Sequence, residues 1–487
     1  MTERPLLIQT KNGAVKTVDS SVRVTSVRQQ RSAERELLPP ALMRLSIPVL
    51  VTGFLTAFSL QCESAPDAIQ ACLDLQLSKA GSTASAKPLP SSTPPVTYTK
   101  VDSRDLPRCC DERGSLDDIR KAIRYQLKRC ETTVPSFDKK TMTAGCRTYQ
   151  RSDWCLMANR KLLQIANRSK DTAEFLAHAR DSFDWYRSSG AAEASADGHF
   201  QKGDTQFTGY YTPILKASRT KRGKFRYPIY AKPPELVEID AKSDANCGLN
   251  SQKKPIKWCR KNADGTYSAY LTRAQIESGM LKGRGLEIAY LEDPLDVSFM
   301  MVQGSATLEL QNPDGTKSLL RANYAAKNGR RLQMLGRIVK CDGGQKEDYS
   351  SMHGIIDYLR ARPKRMASLM NYDESYVFFR ELKEGPLGSE EVPVTALHSL
   401  AVDRDLVPPG SAVLFDVQKS NTANACPRIS SFALAQDTGG AIRGAHVDWY
   451  IGAGDKAASI ASSMNNPGVI YVGFPKGTGT PVKNCRN

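Results

Sequence analysis

Two aspartates eleven residues apart, Asp437 and Asp448, stand among five glycines in the stretch 436–454, Q-D-T-G-G-A-I-R-G-A-H-V-D-W-Y-I-G-A-G. A third, Asp403, closes the run Ser399-Leu-Ala-Val-Asp403. Glycine lets a backbone approach a ligand closely or take positive φ. Carboxyl groups in such a frame suit proton transfer to a polymer lying in a groove. Cleaving a glycosidic bond requires an acid that still holds its proton near neutral pH, and burial or a nearby like charge raises a carboxyl to that range. Aspartates among glycines also cap turns, so spacing alone leaves both readings open. The triplet Asp437-Thr-Gly439 is the aspartic-protease signature too. That chemistry needs two such triplets, or one per chain in a symmetric dimer, so that two carboxylates share a proton. This chain has one, followed by Gly440 where those enzymes place Ser or Thr, and the protease reading is set aside.

The elements that must position these residues belong to a chain of 487 residues, room for two or three domains. Its hydrophobic content of 40% excludes a disordered or fibrous protein. The net charge of +17 points to an anionic partner or to simple solubility. The basic residues are scattered, without a Lys/Arg block or the aromatic interleaving of a single-strand binder, so nucleic acid is not an expected partner. Residues 45–60, LSIPVLVTGFLTAFSL, are apolar and uncharged. Sixteen residues are short for a bilayer span and suit a signal-peptide core. Met43-Arg44 supplies the basic start, so translation is expected to begin at Met43. Residues 1–42 are then an extension outside the working protein and 43–65 the signal peptide. A long cytosolic tail on a membrane-anchored protein is the rival reading. Cys62 is a candidate lipid anchor to an outer membrane, although Gln61 replaces the small residue expected before it; cleavage near Ser64 or Ala65 is the alternative. The product is expected in the periplasm. The first 44 residues carry eight basic and four acidic side chains, so +13 stays with the exported part.

All twelve cysteines lie at or beyond Cys62 and read as disulfides of an oxidising compartment. Cys247 and Cys259 would staple one loop; Cys130, Cys146 and Cys155 lie close in sequence; the connectivity stays open. With no C-x-x-C and no H-x-x-x-H, no metal or other cofactor is expected.

Residues 66–104, Ser/Thr/Pro/Ala-rich over 79–97, read as a flexible linker. Ser115 caps an amphipathic helix to about Arg129 with Leu116, Ile119, Ile123 and Leu127 on one face. Further helices are predicted over 153–167 and 172–187, then at 272–280 behind Thr272 and 351–361 behind Ser351. From Phe207 onward short β-branched runs dominate, and strands are predicted at 225–231, 294–303, 376–380, 394–402, 411–417 and 469–474. The expectation is a mainly β body with an α-helical N-terminal lobe.

Several co-linear stretches carry a resemblance. They are Phe207-Thr-Gly-Tyr-Tyr-Thr-Pro213, Asp293-Pro-Leu-Asp296 through Gln303-Gly-Ser305, and Tyr324-Ala-Ala-Lys-Asn-Gly329. Ser375-Tyr-Val-Phe-Phe-Arg380, Gly385-Pro-Leu-Gly388, Ser399–Asp403 and the 436–454 motif follow in order. Across some 380 residues the chain resembles the membrane-bound lytic murein transglycosylase A family, with its C-terminal three-aspartate domain. The resemblance implies a six-stranded double-psi β-barrel with an inserted second β-rich domain and a groove between them. On this chain the barrel would take 105–219 (with the helical lobe) and 384–487, and the insert 220–383.

It also implies a reaction. Asp448 matches the single catalytic acid/base, and Asp437 and Asp403 match aspartates that tune it and hold the barrel loops. Asp448 would protonate the oxygen leaving C1 of N-acetylmuramic acid, then take the proton of that sugar's 6-hydroxyl as it closes on C1. The product is a 1,6-anhydromuramoyl end, and no water is consumed. Thr208, Tyr210, Tyr211, Thr212, Gln303, Ser305 and Lys327 are the candidate substrate-binding residues. The implied partner is the peptidoglycan glycan strand, met by a monomer whose charge suits anionic stem peptides. A non-catalytic glycan-binding barrel and a muramoyl hydrolase are the alternatives. The chain departs from the family pattern at Ala306-Thr307, Asp373-Glu374 and His398, which bears on subsite preference.

Overall fold

Six strands build the frame for the aspartates: β1 Thr205–Thr212, β2 Ser399–Val402, β3 Ala412–Gln418, β4 Arg428–Asp437, β5 His446–Ala453 and β6 Asn465–Pro475. In the computed structural model, which describes residues 66–82, 97–107, 114–132, 140–195, 198–239, 247–248, 256–418, 428–483 and 485, they hydrogen-bond in the ring β1–β5–β2–β4–β3–β6 and back to β1. The ring is closed. β1 with β5 and β2 with β4 run parallel, and the other pairs are antiparallel. Closure removes the unpaired edges that an open sheet would present.

Period-two alternation decides what each strand buries. Val413, Phe415 and Val417 of β3 point inward to Phe207 and Trp449, while Ala412 and Leu414 pack outward on the helices. The same division holds on β4, where Ile429, Ala433 and Ala435 are inside and Phe432 and Leu434 outside. Both faces are covered, which is why β4 is buried along almost its whole length.

The outer cover is the helical lobe. Leu116–Cys130 starts at Ser115, whose hydroxyl accepts the Asp118 N–H at 3.1 Å. Ser152–Arg168 and Thr172–Ser182 follow. The helix predicted to reach residue 187 stops at Ser182. Phe183–Ser188, with Phe183, Trp185 and Tyr186 all buried, becomes a strand that extends the barrel sheet beside β6.

β1 continues through Pro213 into Ile214–Ser218, the first strand of the inserted domain. The insert thus begins before residue 220, because one extended segment serves both bodies. Its six-stranded sheet runs Val377–Leu382, Lys317–Lys327, Ser305–Gln311, Ile214–Ser218, Glu287–Leu291, Tyr227–Tyr230, and a bridge from Ala231 to Phe379 brings the two ends together. Helices Leu335–Cys341, Met352–Arg360 and Pro363–Met370 pack as a separate apolar cluster.

Two expectations are corrected. The segment 294–303 is a helix, Pro294–Gln303, and not a strand. The side chain of Asp293 accepts the Leu295 N–H at 2.8 Å, Pro294 sits in the first turn and Gly304 closes the end at φ 75°. These end signals outweigh its apolar composition. Residues 66–104 are not simply a linker either. Pro66–Ser82 is a helix whose Ile69 and Leu73 are buried with Leu335 and Ile338 and whose Cys72 bonds Cys341, and Tyr98–Val101 pairs with Phe183–Ser188. The expected start at Met43, the apolar run, Cys62 and the Ser/Pro-rich residues 83–96 lie outside the described residues. Among the described residues no helix is long and apolar enough to cross a membrane. Among the described residues the remaining disulfides are Cys130–Cys155, Cys146–Cys485 and the loop staple Cys247–Cys259.

Candidate active site

The parallel register of β1 and β5 sets Thr208 beside Asp448 and Tyr210 beside Tyr450. On the other side of β5, Ala401 of β2 pairs with Asp448 and also with Asp437 at the end of β4. A single small residue therefore separates the two acidic positions. A bulge at Gly452, with φ 131°, shifts the β5–β1 register just beyond the site.

The two carboxyls are held very differently. Asp437 receives three hydrogen bonds: Tyr210 Oη at 2.9 Å, the Ser389 N–H at 2.8 Å and the Thr438 N–H at 2.8 Å. Burial pushes its carboxyl up although these donors favour the ionised form. Asp448 receives one bond, from Thr208 Oγ1 to Oδ1 at 2.8 Å. No described residue donates to its Oδ2. Burial raises Asp448 to about 6, the Thr208 bond opposes the rise and the Asp437 charge adds to it. Asp448 is only partly exposed, and its Oδ2 is the carboxyl oxygen left without a donor among the described residues. Tyr210, buried against both aspartates, is held firmly as a neutral phenol that can only donate to Asp437.

Asp403 stands apart. Its side chain accepts the Gly444 N–H at 2.9 Å and the Asp405 N–H at 3.1 Å, and beside it Arg404 reaches the Thr438 hydroxyl at 3.0 Å. It ties the loop between β4 and β5 to the end of β2. Asp437, not Asp403, is the charge that acts on Asp448.

The other sequence candidates divide. The Gln303 amide oxygen accepts the Tyr211 N–H at 3.1 Å, so the end of helix Pro294–Gln303 is latched to β1 where the two domains meet. Tyr211 reaches Met352 Sδ at 4.0 Å on the insert side. Lys327 stands on the insert opposite the barrel loop; burial lowers its ammonium, and Lys257 and Arg443 lower it further. Thr212 and Ser305 are buried. They are 1% and 7% exposed, with hydroxyls 3.4 Å apart, and Thr212 also meets the Tyr450 hydroxyl at 2.9 Å. Strand alternation turns them into the domain junction. Two neighbours were missed: Ser389, on a turn too irregular to read, and His446, whose Nε2 is 2.9 Å from Thr208 Oγ1. His446 was legible, since it precedes Asp448 by two on a strand and shares its face.

Two departures from the family pattern lie in the framework. Asp373 is buried and pairs with Arg273 at 3.0 Å; His398 is fully buried with Nδ1 2.8 Å from the Phe432 carbonyl.

Residues 206–380 match the family described as the MltA specific insert domain, and residues 398–472 match the 3D domain. A homolog of membrane-bound lytic murein transglycosylase A from Buchnera aphidicola subsp. Schizaphis graminum is 30% identical over 276 residues, 56% of this chain and 67% of that protein. The chain belongs to the membrane-bound lytic murein transglycosylase A family. The family's Escherichia coli K12 protein is 30% identical over 275 residues, which is 55% of this chain and 66% of that protein. The match thus spans just under two thirds of its length. A crystal structure from this family, the membrane-bound lytic murein transglycosylase of Agrobacterium tumefaciens, superposes with a TM-score of 0.60 at 27% identity. It covers 78% of this chain and 98% of that one, so the family fold extends over barrel and insert together.

Proposed function

We propose that this protein is a peptidoglycan lytic transglycosylase that cleaves the bond between N-acetylmuramic acid and N-acetylglucosamine without water, with Asp448 as acid and then base. The observation that carries the reading is the asymmetry of the acidic pair. Asp437 receives three donors, whereas Asp448 keeps one oxygen without a donor among the described residues and a value raised to about 6. One free carboxyl suffices when the nucleophile belongs to the substrate. Asp448 Oδ2 gives its proton to the glycosidic oxygen as positive charge develops at C1, and the resulting carboxylate takes the 6-hydroxyl proton as that oxygen bonds to C1. Hydrolysis asks for a second carboxylate to activate water or to form a covalent intermediate.

Tyr211, Gln303 and Lys327 are the substrate-binding residues of this reading. An aromatic face stacks on sugar rings, the amide bonds acetamido or hydroxyl groups, and the ammonium meets stem-peptide carboxylates. The glycan strand is the partner. The relatives' designation as membrane-bound supports an envelope location, periplasmic and attached to the outer membrane.

One observation favours hydrolysis. Asp296, in the first turn of helix Pro294–Gln303, is raised to about 6 by burial and by Asp293, and its charge is felt by Tyr211 on the barrel side. The charge that raises Asp448 is that of Asp437, so this reading keeps Asp296 apart from the acidic pair. The test is digestion of purified sacculi by the 66–487 fragment and by Asp448→Asn. Anhydromuropeptides from the wild type, reduced by about a thousandfold or more in the variant, are expected. A wild type that binds sacculi and releases nothing would leave a glycan-binding barrel.

A further inference from the structure

Three exposed cations from separate stretches of chain, Lys257, Lys327 and Arg443, converge where the insert faces the barrel. Each stands on a fixed piece of backbone. Lys327 ends the strand Lys317–Lys327 in register with Val377, and the side-chain amide of the next residue, Asn328, is fully engaged. It donates to the Leu271 and Glu374 carbonyls at 2.8 Å each and accepts the Tyr376 N–H at 2.9 Å. Lys257 is carried onto the same turn. A Cβ on Gly329, whose φ is 73°, would stand 2.3 Å from the Trp258 carbonyl oxygen and 2.7 Å from Ile256 Cγ2. Only a glycine there lets the residues on either side of Lys257 close on the chain just beyond Lys327. The Ile239 N–H bonds the Lys257 carbonyl at 2.6 Å, and nearby Cys259 is tied to Cys247. Arg443 belongs to the barrel. Its Nη1 donates to the Ile442 carbonyl at 2.8 Å and the Gly439 carbonyl at 3.3 Å, within the loop that Asp403 fastens at Gly444.

Like charges gathered in one place raise one another's energy unless an anion joins them. Both the Lys257 and the Arg443 charge are felt at Lys327, and the carboxylate felt there is Glu238, so cations are in excess. Among the described residues none of the three forms an ion pair with a carboxylate. An anion from the substrate would relieve that excess. The acetamido sugars of a peptidoglycan strand are uncharged, and the lactyl carboxyl of each muramic acid is consumed in the amide to its stem peptide. The negative charges of the polymer are therefore carboxylates on the peptides. We propose that Lys257, Lys327 and Arg443 form a two-sided clamp for a stem-peptide carboxylate, in which Lys257 sets the preference for peptide-bearing glycan with charged peptides. The inference deepens the peptidoglycan reading of the site and rests on it. The insert supplies two of the cations. The barrel supplies the third, on the loop that leads into β5, the strand of Asp448. A carboxylate gripped from both bodies is read by charge, whereas the uncharged sugars are read by stacking and hydrogen bonds.

The experiment compares kcat/KM on two soluble glycan oligomers: one carrying stem peptides, and the same oligomer with its peptide carboxylates converted to carboxamides. The readout is the ratio between them, because a side chain that merely supports the fold would move both rates together and leave the ratio alone. Wild type should favour the acidic form by about tenfold or more. That preference should shrink as salt is raised from about 0.05 to about 0.5 M. Lys257→Gln and Arg443→Gln should each lower the ratio about three- to tenfold, chiefly through KM for the acidic oligomer. Lys257→Glu should lower it further, and Lys257→Arg, which keeps the charge, should stay within about twofold of wild type. A wild-type ratio near one at low salt, or a ratio that Lys257→Gln and Lys257→Glu leave unmoved, would overturn the clamp. The salt series needs no variant and decides even if a substituted chain fails to fold. A wild type that makes no anhydro ends from either oligomer would instead overturn the reaction. Equilibrium binding of the two oligomers would then test the clamp by the same ratio.

Discussion

A carboxyl set among barrel strands loses much of its hydration and is left with whatever donors the strands provide. Among the described residues Asp448 has one donor and Asp437 has three, and the roles proposed for them rest on that difference. The raised value of Asp448 has a consequence for stability as well as for catalysis. Its folded-state value of about 6 lies above the ordinary 3.8, so the fold favours the protonated form. Below about pH 4 the group is protonated in folded and unfolded chains alike, and the contribution is complete. It is lost as pH rises through about 6, where the folded protein must hold a charge it disfavours. Asp448→Asn never ionises. It should be more stable than wild type at pH 8 by about 1–2 kcal/mol, discounted for partial exposure, and indistinguishable at pH 4. Thermal unfolding at the two pH values checks this, and equal differences at both would remove the buried-acid account. The aspartates and their glycines were legible because residue type and spacing carry the chemistry. Their donors were not: Thr208 and Asp448 are 240 residues apart, and only the closed barrel makes them neighbours.

Elements were legible where their ends are marked. Ser115 before an amphipathic run predicts the helix Leu116–Cys130, and the apolar run at 411–417 predicts β3. Composition misled at 294–303, where Asp293-Pro294 and Gly304 outweigh a β-like interior. It misled again at Pro66–Ser82. Two buried apolar residues are a thin face for a helix, and a cross-link to a partner 269 residues away cannot be seen locally. Isolated helices of this length are marginal in water, so docking must supply the stability. Cys72→Ser should therefore release Pro66–Ser82 to proteolysis while the barrel and insert stay protected. Limited proteolysis with peptide mapping would read the cleavage sites. An uncut helix in the variant would show that Ile69 and Leu73 hold it without the disulfide.

At the scale of the molecule, one extended segment passing through Pro213 ties the barrel to the insert, and the site forms where they face each other. In the proposed reading, barrel strands supply the acidic pair, and the insert supplies Gln303, Lys327 and the helix bearing Met352. None of this juxtaposition follows from periodicity; the order of the motifs along the chain implied it through the resemblance to a family. The arrangement has a carboxyl raised to about 6 on the barrel, Asp448, and another on the insert, Asp296. Whether the second activates water separates the two glycan-cleaving reactions. The most direct test is digestion of sacculi in water labelled with heavy oxygen, followed by mass spectrometry of the muramoyl ends. The account predicts anhydro ends with no label at C1. Labelled reducing ends would contradict it and make the enzyme a hydrolase.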